Sequence, residues 1–301
     1  MREPPADVTA TEVLSVVRSH WDADAITLVY LPVGFGAHHW RASGRARHWF
    51  VTLDALLPRH TAATLEAAYA GAAGLAAGGL EFVLAPCAGT HGGFTVPLAG
   101  GALSVTPWRE GSPGDGTMTA DAAASTRARL DRLHAATAPH GLPRWRPLVG
   151  AGLTDDLATR TRRPWTEGPH GERARAAVQA RLGEIGTWIT TYHRLAGSAD
   201  ACAWVATHGE PHTRNQLDTA EGTLLVDWES LKLAPRERDL RTLGEAGHPQ
   251  PDADPAMLEM FDLEWRLDEI SQYATWFEAP HAGSEDDRIA LGGLLSELDR
   301  T

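Results

Sequence analysis

The chain has 301 residues, of which 43% are hydrophobic and 22% charged, a composition typical of globular rather than disordered proteins. Its formal net charge of -12 argues against nucleic-acid binding, which depends on an excess of Lys and Arg. Two cysteines are too few for a disulfide framework. The sequence opens without a signal-peptide pattern and contains no apolar run long enough to cross a bilayer, so we expect a cytoplasmic protein without nucleic-acid or membrane partners.

The first third of the chain predicts a small β-rich unit. A capping-box pattern at 9–12 predicts a short helix, and the β-branched run 26–31 predicts a strand that leads into Gly34-Phe-Gly36. Because glycine has no Cβ, a hairpin built on these residues lets the backbone approach a ligand closely. The elements predicted next are a strand at 48–53, a helix at 61–77, and strands at 80–84, 93–96 and 102–106.

The composition changes after the last of these strands. Pro107-Trp108 and the Pro/Gly-rich stretch 111–117 predict a connector, and we place the domain boundary between residues 111 and 112. The second half is predicted to be mainly helical, so the whole chain is expected to be an α+β protein with two lobes. Its predicted elements are a helix after Thr119, a long helix from Gly171 through Tyr192, a strand at 203–207 and a helix at 256–277.

The motif His208-Gly-Glu210-Pro-His-Thr-Arg-Asn215 carries the chemistry. An apolar run follows it and ends at Asp227, so a loop with a carboxylate and an amide precedes a short strand ending in a second carboxylate. Phosphoryl transfer needs this set, because an acidic group must face the attacking hydroxyl and Mg²⁺ prefers hard oxygen ligands. An alternative, a zinc pair of His208 and His212, requires a helix, and Pro211 between them favours a loop.

These segments resemble the catalytic and metal-binding segments of the aminoglycoside phosphotransferase family, and the stretch 234–240 resembles its spectinomycin-phosphorylating branch. The resemblance covers nearly the whole chain. It implies a bilobal protein-kinase-like fold, with an N-lobe over 1–111 and a C-lobe over 112–301 that contains the catalytic loop and the acceptor pocket.

The resemblance also implies a role for each residue of the motif. Asn215 and Asp227 are expected to bind Mg²⁺, His208 to support the loop, and Asp239 to bond back to the loop. Glu210 stands where the family has Asp, and we expect it to orient the acceptor hydroxyl as the catalytic carboxylate. Because Glu is longer by one methylene, the loop or the acceptor must shift by about one bond length to compensate.

The same resemblance places ATP or GTP on the first domain. Gly34, Gly36 and His38 are expected to cover the phosphates, Thr52 to lie on the strand beneath them, and Trp108 to mark the connector that binds the base. The family has a lysine at the position of Thr52.

The only lysine of this chain lies elsewhere, at Lys232 beyond Asp227, so it is not expected to replace the missing one. Glu66, at the position of the lysine's usual partner, is expected to be an ordinary surface acid. Positive charge on the phosphates is expected from Mg²⁺ or from one of the nearby basic residues, namely His38, His39, Arg45 and Arg47.

The last predicted helix suggests what the acceptor is. Arg266 is expected to pair with Asp262 and Glu269, which leaves Glu264 and Asp268 one turn apart on the same face. Like charges at this spacing favour a cation nearby. Trp265 beside them adds an aromatic face suited to an ammonium group, so we expect these three residues to contact a cationic acceptor. The alternative is a solvated acidic face.

We therefore expect an ATP- or GTP-dependent O-phosphotransferase that acts on a small hydroxylated metabolite such as an aminocyclitol or another antibiotic. The alternative is a catalytically impaired pseudokinase or small-ligand-binding protein on the same fold, since Glu210 and Thr52 both depart from the family pattern. A kinase with protein substrates is disfavoured, because the segment between Asp227 and Asp239 is too short for an activation loop. The sequence leaves the oligomeric state open.

Overall fold

The computed structural model of this chain describes residues 1–300 and divides them into two compact units. The first unit comprises Met1–Trp145 and Ala203–Pro251, and the second comprises Arg146–Cys202 and the chain from Asp252 onward. The boundary expected at 111/112 falls inside the first unit, which therefore holds the glycine-rich hairpin together with the catalytic-loop motif. No helix within residues 1–300 is long and apolar enough to span a membrane.

The elements of the first half, in chain order, are α1 (Ala10–His20), β1 (Thr27–Leu31), β2 (His38–Ser43), β3 (His48–Asp54), α2 (Ala62–Ala77), β4 (Thr95–Leu98), β5 (Gly101–Pro107), β6 (Ser112–Pro113) and α3 (Ala120–Ala135). The elements of the second half are α4 (Leu153–Arg160), α5 (Gly171–Ala180), α6 (Leu182–Ala196), β7 (Trp204–Thr207), β8 (Gln216–Thr219), β9 (Gly222–Leu225), β10 (Lys232–Pro235), α7 (Glu237–Glu245), α8 (Pro255–Glu278) and α9 (Glu285–Asp299).

The first unit contains a five-stranded antiparallel sheet in the order β1-β2-β3-β5-β4, termed the front sheet. Side chains alternate between its two faces, as the period of a strand requires. One face packs with α1 in a hydrophobic core that includes Val13, Val17, Trp40, Val51 and Leu103. The side chains of opposite parity, among them His39, Phe50 and Thr52, lie on the other face, termed the open face, on which α2 packs at Asp54.

Two smaller sheets frame the catalytic-loop motif. Strands β7 and β10 pair antiparallel, and β6, β8 and β9 form a three-stranded sheet. The loop from His208 to Asn215 joins β7 to β8, so both of its ends are fixed by strands. The β8–β9 hairpin then returns the chain to Asp227.

The second unit is helical. Helix α8 buries the predicted core stripe on one side, namely Met260, Leu263, Leu267, Ile270, Ala274 and Phe277. The single long helix predicted from Gly171 is wrong, since the chain breaks at Arg181, where the backbone leaves helical geometry with φ -108° and ψ 5°. The hydrophobic spacing continues through this break, which is why the sequence pattern did not reveal it.

The capping box at Thr9 is confirmed, with both of its reciprocal hydrogen bonds present. The strand predicted at 80–84 is wrong. This segment is a turn followed by an isolated bridge from Val83 to Leu225, held by hydrogen bonds from Leu84 N to Leu225 O and from Leu225 N to Phe82 O. Its β-branched and aromatic residues are buried by docking on β9, so their hydrophobicity reflects packing and not membership of a sheet.

Candidate active site

The catalytic loop is built around a buried histidine. His208 is fully buried, its Nε2 bonds Val226 O at 2.8 Å, and its Nδ1 accepts from the backbone of Glu210 at 3.3 Å. Both ring nitrogens are used inside the protein, which leaves neither for a zinc ion. Burial lowers the pKa of His208, so the ring is neutral and acts as a support for the loop, as expected.

Asp239 fixes the start of the loop by hydrogen bonds to its backbone. Its carboxylate accepts from the amides of His208 and Gly209, at 3.1 and 2.6 Å, and bonds His134 Nε2 at 2.8 Å. Burial by itself raises the pKa of Asp239, but the bond to His134 and the charge of Arg238 hold that pKa below its ordinary value. The structural role expected for Asp239 is confirmed by these bonds.

Gly209 turns the loop in a conformation that favours glycine. Its φ is +100°, and a Cβ at this position would collide with the guanidinium of Arg238. Arg238 is itself buried and donates to Thr207 Oγ1 at 3.0 Å. The sharp turn after His208 directs the following residue, Glu210, out of the buried layer, where its side chain is 18% exposed.

His212 and Asn215 fix the far end of the loop. The backbone N–H of Asn215 lies 3.2 Å from His212 Nδ1, so this histidine caps the short turn at Thr213–Asn215. His212 Nε2 lies 3.9 Å from Glu210 Oε2. The side-chain amide of Asn215 donates to Glu210 O at 3.0 Å, which fixes the orientation of the amide and leaves its oxygen for another partner.

The β8–β9 hairpin brings Asn215 beside Asp227. Gln216 pairs with Leu225 in this hairpin, and Val226 N donates to Asn215 O at 3.0 Å. Asp227 adopts a φ of 69°, a left-handed conformation that is strained for a residue with a side chain. The residue is exposed to solvent, although protein surrounds its carboxyl group on most sides.

Glu229 is a candidate ligand that the sequence analysis did not identify. One of its oxygens, Oε2, is buried without a hydrogen-bond partner. Burial and the charge of Asp227 raise the pKa of Glu229 well above its ordinary value. The protein around Asp227 by itself raises the pKa of that carboxyl group, but the hydrogen bond with Glu229 helps to hold it below its ordinary value. The available signal was a second carboxylate two residues after Asp227.

This donor set fits a divalent cation. An orphaned carboxylate oxygen beside a second carboxylate is costly unless a cation or a proton satisfies it. No group of three or more His, Cys, Asp and Glu side chains in residues 1–300 is arranged to hold a metal. Mg²⁺ needs only one or two carboxylates when phosphate oxygens and water complete its shell, and the oxygen of Asn215 adds a further donor.

The open face of the front sheet carries the residues expected to meet a nucleotide. Gly34 and Gly36, in the turn between β1 and β2, have φ of 70° and 95°. Thr52 is 9% exposed and lies opposite His39, whose Nδ1 is 3.2 Å from Thr52 Oγ1. His38, by contrast, faces the other side, with its Nδ1 3.1 Å from Tyr30 Oη, and this corrects its expected place over the phosphates.

An aromatic row extends along the same face toward the connector. His39 stacks on Phe50 with ring centroids 4.9 Å apart, and Phe50 lies 6.4 Å from the ring of Trp108. Arg41 packs on Trp108 at 4.4 Å, and the indole N–H of Trp108 donates to Glu110 at 2.8 Å. Trp108 therefore lies at the end of this aromatic row, where the connector begins.

The contact between β3 and α2 differs from the expected one. Glu66 is not an ordinary surface acid, because it accepts from the amides of Phe94 and Thr95, at 2.7 and 2.9 Å, and so holds the start of β4. The link from α2 to β3 is instead made by Tyr69, whose hydroxyl donates to Asp54 at 2.6 Å. Asp54 lies two residues after Thr52, on the same face of β3.

The second unit holds the residues expected to meet the acceptor. Glu264 and Asp268 are buried, at 7% and 5% exposure, so the alternative of a solvated acidic face is wrong. Glu264 accepts from the hydroxyl of Tyr192 and from Leu148 N. Asp268 accepts from Gln272 at 2.6 Å, and Trp265 remains partly exposed.

The pairing expected for Arg266 is also wrong. Its guanidinium donates to the carbonyl oxygens of Glu297 and Arg300 and lies 3.6 Å from the ring centroid of Trp188. Asp262 pairs instead with Arg300 at 2.9 Å. The docking of α9 on α8 supplies these partners, and spacing along α8 gives no information about it.

The first unit thus combines a glycine-rich hairpin on an antiparallel sheet, a connector, and a loop that presents a carboxylate and an amide beside a second carboxylate. This is the arrangement of protein-kinase-like phosphotransferases. The family model described as the Phosphotransferase enzyme family (APH) matches residues 27–276, so the chain belongs to this family. Three predictions from the sequence are therefore confirmed: the family, the α+β kinase-like fold, and the activity class of a phosphotransferase.

Individual relatives agree with this assignment. The chain is 29% identical over 239 residues to Protein StrN of Streptomyces griseus, covering 71% of this chain and 70% of that protein. A spectinomycin phosphotransferase, APH(9)-Ia, solved with ADP and spectinomycin, has a similar fold, with a TM-score of 0.70 and 15% identity over 95% of this chain and 94% of that one. An amicoumacin kinase solved with AMP-PNP gives a TM-score of 0.58 and 12% identity over 98% and 95% of the two chains.

Proposed function

We propose that the protein transfers a phosphoryl group from a nucleoside triphosphate to a hydroxyl of a small molecule. The observation that supports this most directly is the convergence of Glu210, Asn215 and Asp227 on adjoining loops of the first unit. Each carries the oxygen donors that phosphoryl transfer needs. Asn215 bonds Glu210 O through its side-chain amide, and Val226, the neighbour of Asp227, donates to Asn215 O.

In this proposal Glu210 orients the acceptor hydroxyl and receives its proton. Because the transition state of phosphoryl transfer is loose, position and charge neutralisation matter more than base strength, and Glu in place of Asp keeps the role. Asn215, Asp227 and Glu229 would hold Mg²⁺, which when bound neutralises charge on the phosphates.

The nucleotide is ATP or GTP in this proposal. It lies on the open face of the front sheet, with its phosphates beneath Gly34 and Gly36 and above Thr52, and its base at the connector near Trp108. The similar phosphotransferase and kinase were solved with ADP and AMP-PNP, which supports a nucleotide for this chain. Because the reaction consumes a nucleoside triphosphate, we propose the cytoplasm as its compartment.

The acceptor is a small cationic compound in this proposal, of the class of aminocyclitols or other amino antibiotics. Spectinomycin and amicoumacin are the compounds named for two structurally similar proteins, and the net charge of -12 suits a cationic ligand. We propose that Trp265 and Asp268 contact its ammonium groups and that Glu264, held by Tyr192, anchors this part of α8.

A direct assay tests the reaction. Purified protein is incubated with Mg²⁺, with ATP or GTP, and with a panel of aminocyclitols, other amino antibiotics and amino alcohols. Phosphotransfer is recorded as nucleoside diphosphate released and as the mass gained by the acceptor. We expect turnover with one acceptor class, and we expect Glu210→Gln to reduce kcat by at least about 100-fold while nucleotide affinity stays within about threefold.

Glu221→Gln is the matched control, because Glu221 is an exposed acid in the β8–β9 turn, and it should leave kcat unchanged. An undiminished rate in Glu210→Gln removes Glu210 from its role. Thermal stabilisation by an aminocyclitol without stabilisation by any nucleotide would contradict the proposal and favour a ligand-binding protein on the same fold.

A further inference from the structure

We propose that His39 takes the place of the absent lysine and donates an imidazole N–H to a phosphate of the nucleotide. This inference rests on the proposed function, since it assigns a residue within the same nucleotide site. His39 is one of four basic residues that the sequence alone leaves open for this role.

The strand register puts His39 at the required position. His39 is paired with Thr52, the residue at the lysine position, and its ring lies on the same open face of the sheet as Thr52 and Phe50. A Cβ built on Gly34 would lie 3.0 Å from His39 Nε2, so the ring edge reaches up to the glycine-rich turn. The ring therefore lies between Thr52 on β3 and the turn at Gly34, which is expected to cover the phosphates.

The two ring nitrogens of His39 have different surroundings. Nδ1 lies 3.2 Å from the Thr52 hydroxyl, and Nε2 points to the underside of the hairpin at Gly34. In the arrangement we infer, the Thr52 hydroxyl donates to Nδ1, and the single proton of a neutral ring then sits on Nε2. Thr52 thereby sets the tautomer of its neighbour, which gives a reason for a hydroxyl where the family has a lysine.

The ring is neutral at physiological pH. Burial lowers the pKa of His39 to about 4, and the negative charge of Asp227 offsets only part of that effect. A neutral imidazole remains a hydrogen-bond donor, so the contact orients a phosphate oxygen without supplying charge. Charge neutralisation would then come from the cation that Asn215, Asp227 and Glu229 would hold.

The other three basic candidates do not reach this position. His38 faces the opposite side of the sheet and is bound to Tyr30. Arg45 and Arg47 are exposed in the β2–β3 turn, at the other end of both strands, roughly 20 Å along the strand from His39. Arg47 also packs over Trp49, whose side chain belongs to the core face.

Two substitutions at His39 separate hydrogen bonding from packing. His39→Phe keeps an aromatic ring against Phe50 but removes the N–H, and His39→Gln restores an N–H donor without the ring. Thr52→Val removes the partner of Nδ1. His140→Phe is the matched control, because His140 is an exposed histidine in the loop after α3. Dissociation constants are measured by calorimetry for the nucleoside triphosphate with Mg²⁺ and for the corresponding nucleoside.

We expect His39→Phe to weaken triphosphate binding by about 10- to 100-fold, the range for loss of a hydrogen bond to a charged group, and to leave nucleoside binding within about twofold. His39→Gln should recover part of the loss, and Thr52→Val should give a smaller loss with the same selectivity for the triphosphate. His140→Phe should bind both ligands like the wild type.

The inference is overturned if His39→Phe binds the triphosphate like the wild type, or if it loses triphosphate and nucleoside affinity equally, which would show a packing role. If His39→Phe does not fold, His39→Gln and Thr52→Val test the inference through the same comparison of triphosphate and nucleoside affinity. A wild-type protein that binds no nucleotide rejects the proposed function itself, which is a different result from the failure of His39 alone.

Discussion

The hydroxyl of Tyr69 on α2 donates to the carboxylate of Asp54 at the end of β3, at 2.6 Å. This bond joins the helix and the strand where the family resemblance implies an ion pair between lysine and glutamate. Burial raises the pKa of Asp54 to about 7, although the bond from Tyr69 lowers it in part. The link therefore depends on pH, because the buried carboxyl group of Asp54 is protonated below that value.

This raised pKa predicts that stability falls as pH rises from about 4 to 7. The folded state retains the proton of Asp54 over this window whereas the unfolded state releases it, so deprotonation favours unfolding. The asparagine of Asp54→Asn cannot ionise, so the variant should depend less on pH. Between pH 5 and pH 8 its unfolding free energy should fall by about 2 kcal/mol less than that of the wild type. Urea unfolding of both proteins across this range measures it, and parallel pH profiles would contradict the assignment to Asp54.

Gly209→Ala is expected to destabilise the catalytic loop. The substitution puts a Cβ against the buried guanidinium of Arg238 and requires a φ near +100°. The cost should be at least about 2 kcal/mol of unfolding free energy, with loss of activity. Gly244→Ala in α7 is the control, because a Cβ at that position meets nothing within 4 Å, and it should be neutral or slightly stabilising.

Glu229→Gln is expected to weaken the binding of the divalent cation while preserving the fold. The orphaned Oε2 next to Asp227 would become part of a neutral amide, so the Mg²⁺ concentration for half-maximal activity should rise about 10-fold. Calorimetry with Mn²⁺ in the presence of nucleoside diphosphate gives a second readout. Since the pKa of Glu229 is raised by burial, the variant should be as stable as the wild type or more stable in the absence of metal. Unchanged affinity for both cations would remove Glu229 from the donor set.

Asp268→Asn and Glu264→Gln are expected to have different consequences. Asp268→Asn should raise the KM for a cationic acceptor about 10-fold and leave the KM for nucleotide unchanged. Glu264→Gln should lower the melting temperature as well, because it disturbs the buried bonds to Tyr192 and Leu148. Steady-state kinetics with both substrates and thermal unfolding distinguish the two outcomes. An unchanged KM for the acceptor in Asp268→Asn would exclude this residue from acceptor binding.

The sequence by itself determined the elements that depend on neighbouring residues. The capping box at Thr9, the alternation of β2 and β3 and the core stripe of α8 follow from local hydrogen bonds and hydrophobic periodicity. The motif from His208 to Asp227 was readable because phosphoryl transfer needs particular oxygen donors in a particular order.

The tertiary structure decided which side chains meet. Strand register turned His38 toward the core and His39 toward Thr52, and the docking of Leu84 on β9 made a predicted strand into a bridge. Burial of Glu264 against Tyr192 was equally undetermined. These outcomes depend on residues distant in sequence, whose contacts and desolvation no local pattern encodes.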